Sequence, residues 1–162
     1  MPRAAFAEIL QLLAAQEVEF VVVGMTAGVL QGAPLTTLDL DVVHRRTPQN
    51  VGRLLGVLAE LDATYRHDPR GLRPQESHLL GPGHQLLRTR LGDLDCLGAI
   101  GDGAAYEDLL PHTVAMRLSG GASIRVLGLA ALIELKERAG RPKDLAVLPV
   151  LRATLEEAQK GR

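Results

Sequence analysis

Two short segments of the sequence combine aspartates with an alternating strand pattern. In the first, Leu38, Leu40 and Val42 alternate with Asp39 and Asp41, so the two carboxylates share one face of a strand. Their Cα atoms then lie about 6.5 to 7 Å apart. Two negative charges at this spacing repel each other, and the pair therefore needs a solvated surface, hydrogen-bond donors or a cation.

The second segment, LGDLDCLGAIG, places Asp93 and Asp95 on one strand face and turns Cys96 toward the core as a small buried residue. If this strand lies beside the first, one of its carboxylates joins Asp39 and Asp41. Converging carboxylates suit Mg²⁺ or Mn²⁺, hard cations that prefer oxygen ligands. An isolated Asp-x-Asp is more often an exposed strand face than a metal site. The surrounding elements therefore decide between these two interpretations.

The elements around these residues follow from apolar periodicity and from Gly and Pro positions. The pattern predicts helices over 3–16, 25–32, 48–61, 128–139 and 142–159, and strands over 19–24, 38–44, 84–91, 93–98, 113–118 and 122–127. Residues 66–84 have no clear period and are predicted to form a long surface loop. The mixture predicts one α/β or α+β domain over 1–162, with a sheet covered by helices and a C-terminal helical pair at 128–159.

Composition narrows the classes of function and the compartment. The formal net charge is −1, with 18 basic and 19 acidic residues, so no global field draws the chain to nucleic acid or to an anionic membrane. Aromatic residues make up 2% of the chain, which argues against a base-stacking platform. The single cysteine excludes an internal disulfide, and a reducing cytoplasm is expected. Glu8, Glu17 and Glu19 make a signal peptide or membrane span unexpected near the N-terminus.

Residues before the first acidic strand have the pattern of a phosphate-binding turn. Gly24 ends an apolar strand and precedes a short helix. Backbone N–H groups at a helix start can face a phosphate, and the Thr26 hydroxyl can assist.

The segment VVVGMTAGVLQGAPLTTLDLDVV resembles the signature of the nucleotidyltransferase superfamily, which shares the fold of the DNA polymerase beta palm. The resemblance implies the nucleotidyltransferase fold, a mixed sheet flanked by helices. It also implies that Asp39 and Asp41 are the metal-binding pair and that Asp95 is the third catalytic carboxylate. Asp93 remains the rival for the third position, because it shares the face of Asp95.

The C-terminal segment LGLAALIELKERAGRPKDLAVLPVL is similar to a motif of the small AbiEii-like branch of that superfamily. Lys136, Arg141, Lys143 and Asp144 occupy the motif positions. The resemblance implies that Lys136 contacts the triphosphate of a bound nucleotide together with Gly24 and Thr26, and that Arg141 and Lys143 belong to the same nucleotide-binding set.

The resemblance further implies a magnesium-dependent enzyme that moves a nucleoside monophosphate from a nucleoside triphosphate to a hydroxyl. Asp39 and Asp41 would bind both ions, and Asp95 would hold the catalytic ion. The acceptor would be a tRNA end or a protein side chain, within a toxin–antitoxin system that includes a cognate partner protein.

Two departures from the family pattern support an alternative. Met25 stands where the family usually has Gly or Ser, and Leu35 stands where many members have Arg. The alternative is a catalytically degenerate module of the same fold that binds nucleotide or a partner protein.

Histidines of the long loop suggest a different kind of site. His67, His78 and His84 could bind zinc, but their irregular spacing favours solvated loop residues. Arg45 and Arg46, at the end of the first acidic strand, are either a solvated strand exit or a guide for an RNA acceptor.

Overall fold

The computed structural model describes residues 2–161. The helices are α1 (Pro2–Ala15), α2 (Gly24–Leu30), α3 (Pro48–Glu60), α4 (Glu76–Leu80), α5 (Tyr106–Leu109), α6 (Leu129–Ala139) and α7 (Pro142–Lys160). The strands are β1 (Phe20–Val23), β2 (Asp39–His44), β3 (Thr64–Tyr65), β4 (His84–Thr89), β5 (Gly92–Leu97), β6 (Thr113–Arg117) and β7 (Ser123–Leu127). Within residues 2–161 no helix has the length and apolar character needed to cross a bilayer.

All of these strands join one sheet in the order β3-β4-β5-β2-β1-β7-β6. Strand β2 lies between β1, to which it is antiparallel, and β5, to which it is parallel. Strand β1 is also parallel to β7, and the outer pairs β3–β4, β4–β5 and β6–β7 are antiparallel. The mixed sheet with its helices confirms the predicted α/β (α+β) class.

One hydrophobic cluster supports the two acidic strands from behind. Leu40 and Val42 of β2 pair in register with Leu94 and Cys96 of β5, and all four side chains are fully buried. Helix α1 packs against α3 and also contacts β5 and β7. Because side chains alternate along a strand, burial of these residues turns the aspartates between them to the opposite face. The predicted core-facing position of Cys96 is confirmed.

The region predicted as one loop over 66–84 contains a short helix, α4, whose Leu79 is fully buried. His78 caps this helix, because its Nδ1 accepts a hydrogen bond from the Gln75 backbone N–H at 3.1 Å. The two-residue strand β3 and the four-residue helix α5 were not predicted either. Elements this short do not complete a recognisable period, so the sequence pattern does not show them.

Asn50 joins the start of β1, the end of β2 and the first turn of α3. Its Oδ1 accepts from the Glu19 backbone N–H at 2.7 Å, and its Nδ2 donates to the carbonyls of Glu19 and Arg45, both at 2.9 Å. The backbone N–H of Asn50 also donates to Thr47 Oγ1, the N-cap of α3, at 3.2 Å. The side chain is 2% exposed, so no solvent replaces these bonds if it is removed.

Asn50→Ala is expected to lower the free energy of unfolding by about 1 to 3 kcal/mol, because the Glu19 N–H and the Arg45 carbonyl lose their partner and the Glu19 carbonyl keeps only its bond from the Arg45 N–H. Gln49→Ala, at the exposed neighbouring position of α3, is the matched control and should change stability by less than about 0.5 kcal/mol. Urea unfolding followed by circular dichroism measures both. Equal effects of the two substitutions would contradict the assigned role of Asn50.

Candidate active site

The pairing of β2 with β5 brings four aspartates to one face of the sheet. In the parallel register Asp39 lies opposite Asp93, and Asp41 lies opposite Asp95. Residues that are partners across neighbouring strands point to the same side, so the four carboxylates share a small area. The adjacency that the sequence only suggested is therefore present in the fold.

Three of these carboxylates converge. One oxygen each from Asp39, Asp41 and Asp95 lies within 4.8 Å of the other two, and Asp93 is outside this group. In an octahedral Mg²⁺ shell, neighbouring oxygens lie about 2.9 Å apart and opposite ones about 4.2 Å apart, so the three oxygens would draw together around one ion. The donors are all hard oxygens, without a thiolate or imidazole in the group. The cluster therefore fits a hard divalent cation.

Arg66 lies against the same carboxylates. Its Nη1 and Nη2 donate to the two oxygens of Asp95, the Nη2 bond measuring 3.2 Å, and Nη1 also donates to the Leu87 carbonyl at 3.1 Å. The guanidinium lies 3.8 Å from a carboxylate oxygen of Asp39 and 3.8 Å from one of Asp93. The side chains of Arg66 and Asp95 are 11% and 8% exposed, which makes this a largely desolvated fork-to-fork ion pair.

The negative cluster changes the titration of its own members. Burial is the main cause that raises the pKa of Asp41 to about 7, and the charges of Asp95 and Asp39 add to it, with Lys136 acting in the opposite sense. Burial, followed by the charge of Asp95, also raises the pKa of Asp39. Near neutral pH the cluster thus holds a proton that a bound cation would release.

Gly24 has no side chain, and this lets the Asp41 carboxylate lie close to the backbone. Its φ of +65° lies in the left-handed region that favours glycine, and it is the first residue of α2. A Cβ at this position would lie 3.2 Å from Cγ of Asp41 and closer still to a carboxylate oxygen. The backbone of the β1–α2 turn therefore touches the carboxylate directly.

Two threonine hydroxyls fix the backbone at the start of β2. Thr26 Oγ1 donates to the Asp39 carbonyl at 3.0 Å, and Thr37 Oγ1 donates to the same oxygen at 2.9 Å. Thr26 is 4% exposed, so its hydroxyl serves the Asp39 backbone in this structure. Its predicted contact with a phosphate stays a prediction. Leu38, which lies between Thr37 and Asp39 in the sequence, is 78% exposed.

The predicted C-terminal motif forms an ion-pair network between α6 and α7. Asp144 is completely buried and accepts from Lys136 Nζ at 3.2 Å, from Arg141 Nε at 2.6 Å and from the Arg141 backbone N–H at 3.2 Å. The Arg141 hydrogen bond is the main cause that lowers the pKa of Asp144 to about 2. Lys143 is exposed and has no hydrogen bond or ion pair within residues 2–161.

Lys136 is near enough to the acidic cluster for its charge to act against the rise in the pKa of Asp41. Arg141 is directed to Asp144 and caps α7, and Lys143 faces solvent. Lys136 and Arg141 thus share the buried carboxylate of Asp144, and the predicted contact of Lys136 with a triphosphate stays a prediction.

The histidines and the arginine that the sequence suggested for zinc or RNA binding contact other parts of the fold. His84 Nε2 is 2.8 Å from the Ala99 carbonyl, and His78 packs edge-on against the Tyr65 ring. Arg45 pairs with Glu19 at 2.7 Å and with Glu107 at 3.2 Å. Within residues 2–161, no group of three metal-binding side chains includes a histidine.

Sequence analysis missed Arg66. It follows β3, a strand of two residues, in a segment without periodicity. One signal in the sequence pointed to such a residue. Four carboxylates on one face of two neighbouring strands require a cationic partner from elsewhere in the fold.

Asp41→Asn is expected to stabilise the protein above pH 7 by about 1 to 3 kcal/mol in metal-free buffer. Between the usual aspartate pKa near 3.8 and about 7, the unfolded chain releases the Asp41 proton while the folded chain keeps it, so the wild type loses stability as pH rises through this window. The uncharged amide removes this loss, and the difference should fade toward pH 4. Thermal unfolding from pH 4 to pH 8 measures it, with exposed Asp102→Asn as the control. If Asp41→Asn were less stable than the wild type at pH 8, the raised pKa of Asp41 would be contradicted.

Gly24→Ala is expected to destabilise the protein by about 1 to 3 kcal/mol, because the new Cβ strains the left-handed backbone and displaces the Asp41 carboxylate. Gly56→Ala, in the middle of α3 with open space around it, should instead stabilise by about 0.5 to 1 kcal/mol. Chemical denaturation of the pair should give opposite signs if the left-handed backbone and the close approach at Gly24 require glycine, and the same sign would contradict that requirement.

Comparison with known proteins identifies the fold. No family model and no curated protein matches the sequence. Among solved structures, the chain is similar to the crystal structure of TM1012 from Thermotoga maritima, which is provisionally named a nucleotidyltransferase. The identity is 18%, the match covers 97% of this chain and 96% of that chain, and the TM-score is 0.59. At this identity the likeness concerns architecture, and the chain has a nucleotidyltransferase fold.

Proposed function

We propose that the protein is a metal-dependent nucleotidyltransferase that moves a nucleoside monophosphate from a nucleoside triphosphate to a hydroxyl acceptor. The observation that carries this proposal is the convergence of Asp39, Asp41 and Asp95 within 4.8 Å on neighbouring strands. The fold shared with TM1012 supports it, because the same sheet places the carboxylates beside the β1–α2 turn.

Asp39 and Asp41 would hold the cation, Mg²⁺ or Mn²⁺, and Asp95, the third carboxylate of the cluster, is paired with Arg66. When bound, the cation would supply positive charge to the phosphate oxygens and align the triphosphate with the acceptor. The absence of a side chain on Gly24 lets the Asp41 carboxylate approach the turn, and Thr26 holds the backbone of Asp39. Lys136, partly exposed and fixed by buried Asp144, is the basic residue that the fold offers to a phosphate beside Asp41.

In the transfer, an acceptor oxygen forms a bond to the α-phosphorus, and the bond from that phosphorus to the bridging oxygen of the β-phosphate breaks. Pyrophosphate leaves, and the hydroxyl proton passes to a nearby base or to water. Charge develops on oxygens that lie close to the fixed cations Lys136 and Arg66, and preorganised charge of this kind lowers the barrier without reorganisation.

The acceptor and the biological setting rest on the resemblance of the C-terminal motif to the small AbiEii-like branch. We propose an RNA 3′ end, such as that of tRNA, or a protein side-chain hydroxyl as the acceptor, in a toxin–antitoxin system with a cognate partner protein. Exposed Lys143, in the first turn of α7, would serve the nucleotide or the acceptor in this setting.

The test is incubation of the pure protein with Mg²⁺, each α-labelled nucleoside triphosphate in turn, and total RNA and protein of the source organism. Label should pass to RNA or to protein, and the labelled fraction identifies the acceptor class. Asp39→Asn/Asp41→Asn should reduce transfer by about 100-fold or more, because the cation ligands are lost. Asp102→Asn, on an exposed turn, should transfer at the wild-type rate.

The alternative of a degenerate binding module makes a different prediction. Nucleoside triphosphates with Mg²⁺ would raise the melting temperature by mass action, but no label would be transferred. Transfer that survives in Asp39→Asn/Asp41→Asn would contradict the assigned carboxylates.

A further inference from the structure

Arg66 is anchored in the acidic cluster on several sides. Its guanidinium donates to both oxygens of Asp95 and to the Leu87 carbonyl, while its backbone N–H donates to the Leu86 carbonyl at 3.2 Å. It also approaches Asp39 and Asp93 to 3.8 Å. The backbone and the side chain are therefore both tied to β4 and β5, the strands that border the site.

The position of Arg66 divides the carboxylates into two groups. Asp95 has both oxygens committed to the guanidinium, and one oxygen each of Asp39 and Asp93 lies 3.8 Å from it. Asp41 has no ion pair with any basic side chain in residues 2–161. Among the described residues, the carboxylate of the cluster without an ion-pair partner is thus Asp41, and Asp39 is the member next to it on the same strand face.

Two-metal sites need a second ion about 3.5 to 4 Å from the first, bridged by shared carboxylates. An ion on Asp95 would meet the guanidinium, and Arg66 would have to leave. The Arg66 guanidinium is 11% exposed, and keeping it buried without the Asp95 carboxylate would cost free energy. Its bidentate pair with Asp95 already neutralises that side of the cluster.

We propose that the Arg66 guanidinium takes the place of a second divalent cation, so that the site binds one divalent cation, on Asp39 and Asp41, instead of two. The inference rests on the proposed function and deepens it. Arg66 supplies a fixed positive charge where a two-metal enzyme recruits an ion, and it does so without depending on the metal concentration.

Equilibrium dialysis with radiolabelled Mn²⁺ tests the count directly. Both chambers contain an equimolar mixture of the four non-hydrolysable α,β-imido nucleoside triphosphates, so the excess of Mn²⁺ on the protein side is the amount bound to the protein complex. The wild type should bind one Mn²⁺ per chain at saturation. Arg66→Gln removes the charge and the fork, and its count should rise twofold to two per chain.

Arg70→Gln is the matched control, because Arg70 lies in the same loop and pairs with Asp68 at 2.7 Å, away from the cluster. It should bind one Mn²⁺, like the wild type. Two ions in the wild type, or one ion in folded Arg66→Gln, would overturn the inference and leave the proposed function standing. No ion in the wild type would overturn both. The wild-type count is decisive even if Arg66→Gln does not fold.

Discussion

Electrostatic repulsion among the aspartates of β2 and β5 is the constraint on which the rest of the site depends. The parallel register places Asp39 beside Asp93 and Asp41 beside Asp95, in partial burial where water screens poorly. Basic side chains from other elements offset part of this negative charge: Arg66 from the segment after β3, and Lys136 from α6. The negative charge without an ion-pair partner among the described residues is that of Asp41, so this is the position at which a cation could be added.

Stability elsewhere in the chain supports this unfavourable arrangement. Behind the acidic face lies the apolar cluster, and at the far ends of β1 and β2 the buried amide of Asn50 fixes the strands to α3. On the other side of the site, Asp144 is a buried carboxylate with two cationic partners and a backbone donor, so its charge is fully compensated. Asp144 thus has cationic partners for its buried charge, whereas Asp41 has no ion pair among the described residues and its pKa is raised.

Strand alternation and helical periodicity were enough to predict the long elements and the shared face of Asp39 and Asp41. The same alternation placed Cys96 in the core and left Asp95 beside Asp93 as candidates for the third carboxylate, and the group of converging oxygens includes Asp95 and not Asp93. The contact of Arg66 with Asp95 could not be predicted, because it depends on how β3 and β4 lie beside β5 and on no local repeat. The use of Thr26 and Arg141 as supports for other residues is likewise a matter of tertiary contacts.

The parallel pairing of β2 with β5 also has a consequence for the order of folding. Parallel neighbours cannot be joined by a tight turn, and here the connection between them contains α3, β3, α4 and β4. Pairs so distant in sequence form late, after the loop-closure entropy of the intervening chain has been lost. The carboxylates of β2 and β5 therefore meet only when that half of the sheet is assembled. A nascent or partly unfolded chain has no such cluster, so competence to bind a cation reports the completion of the fold.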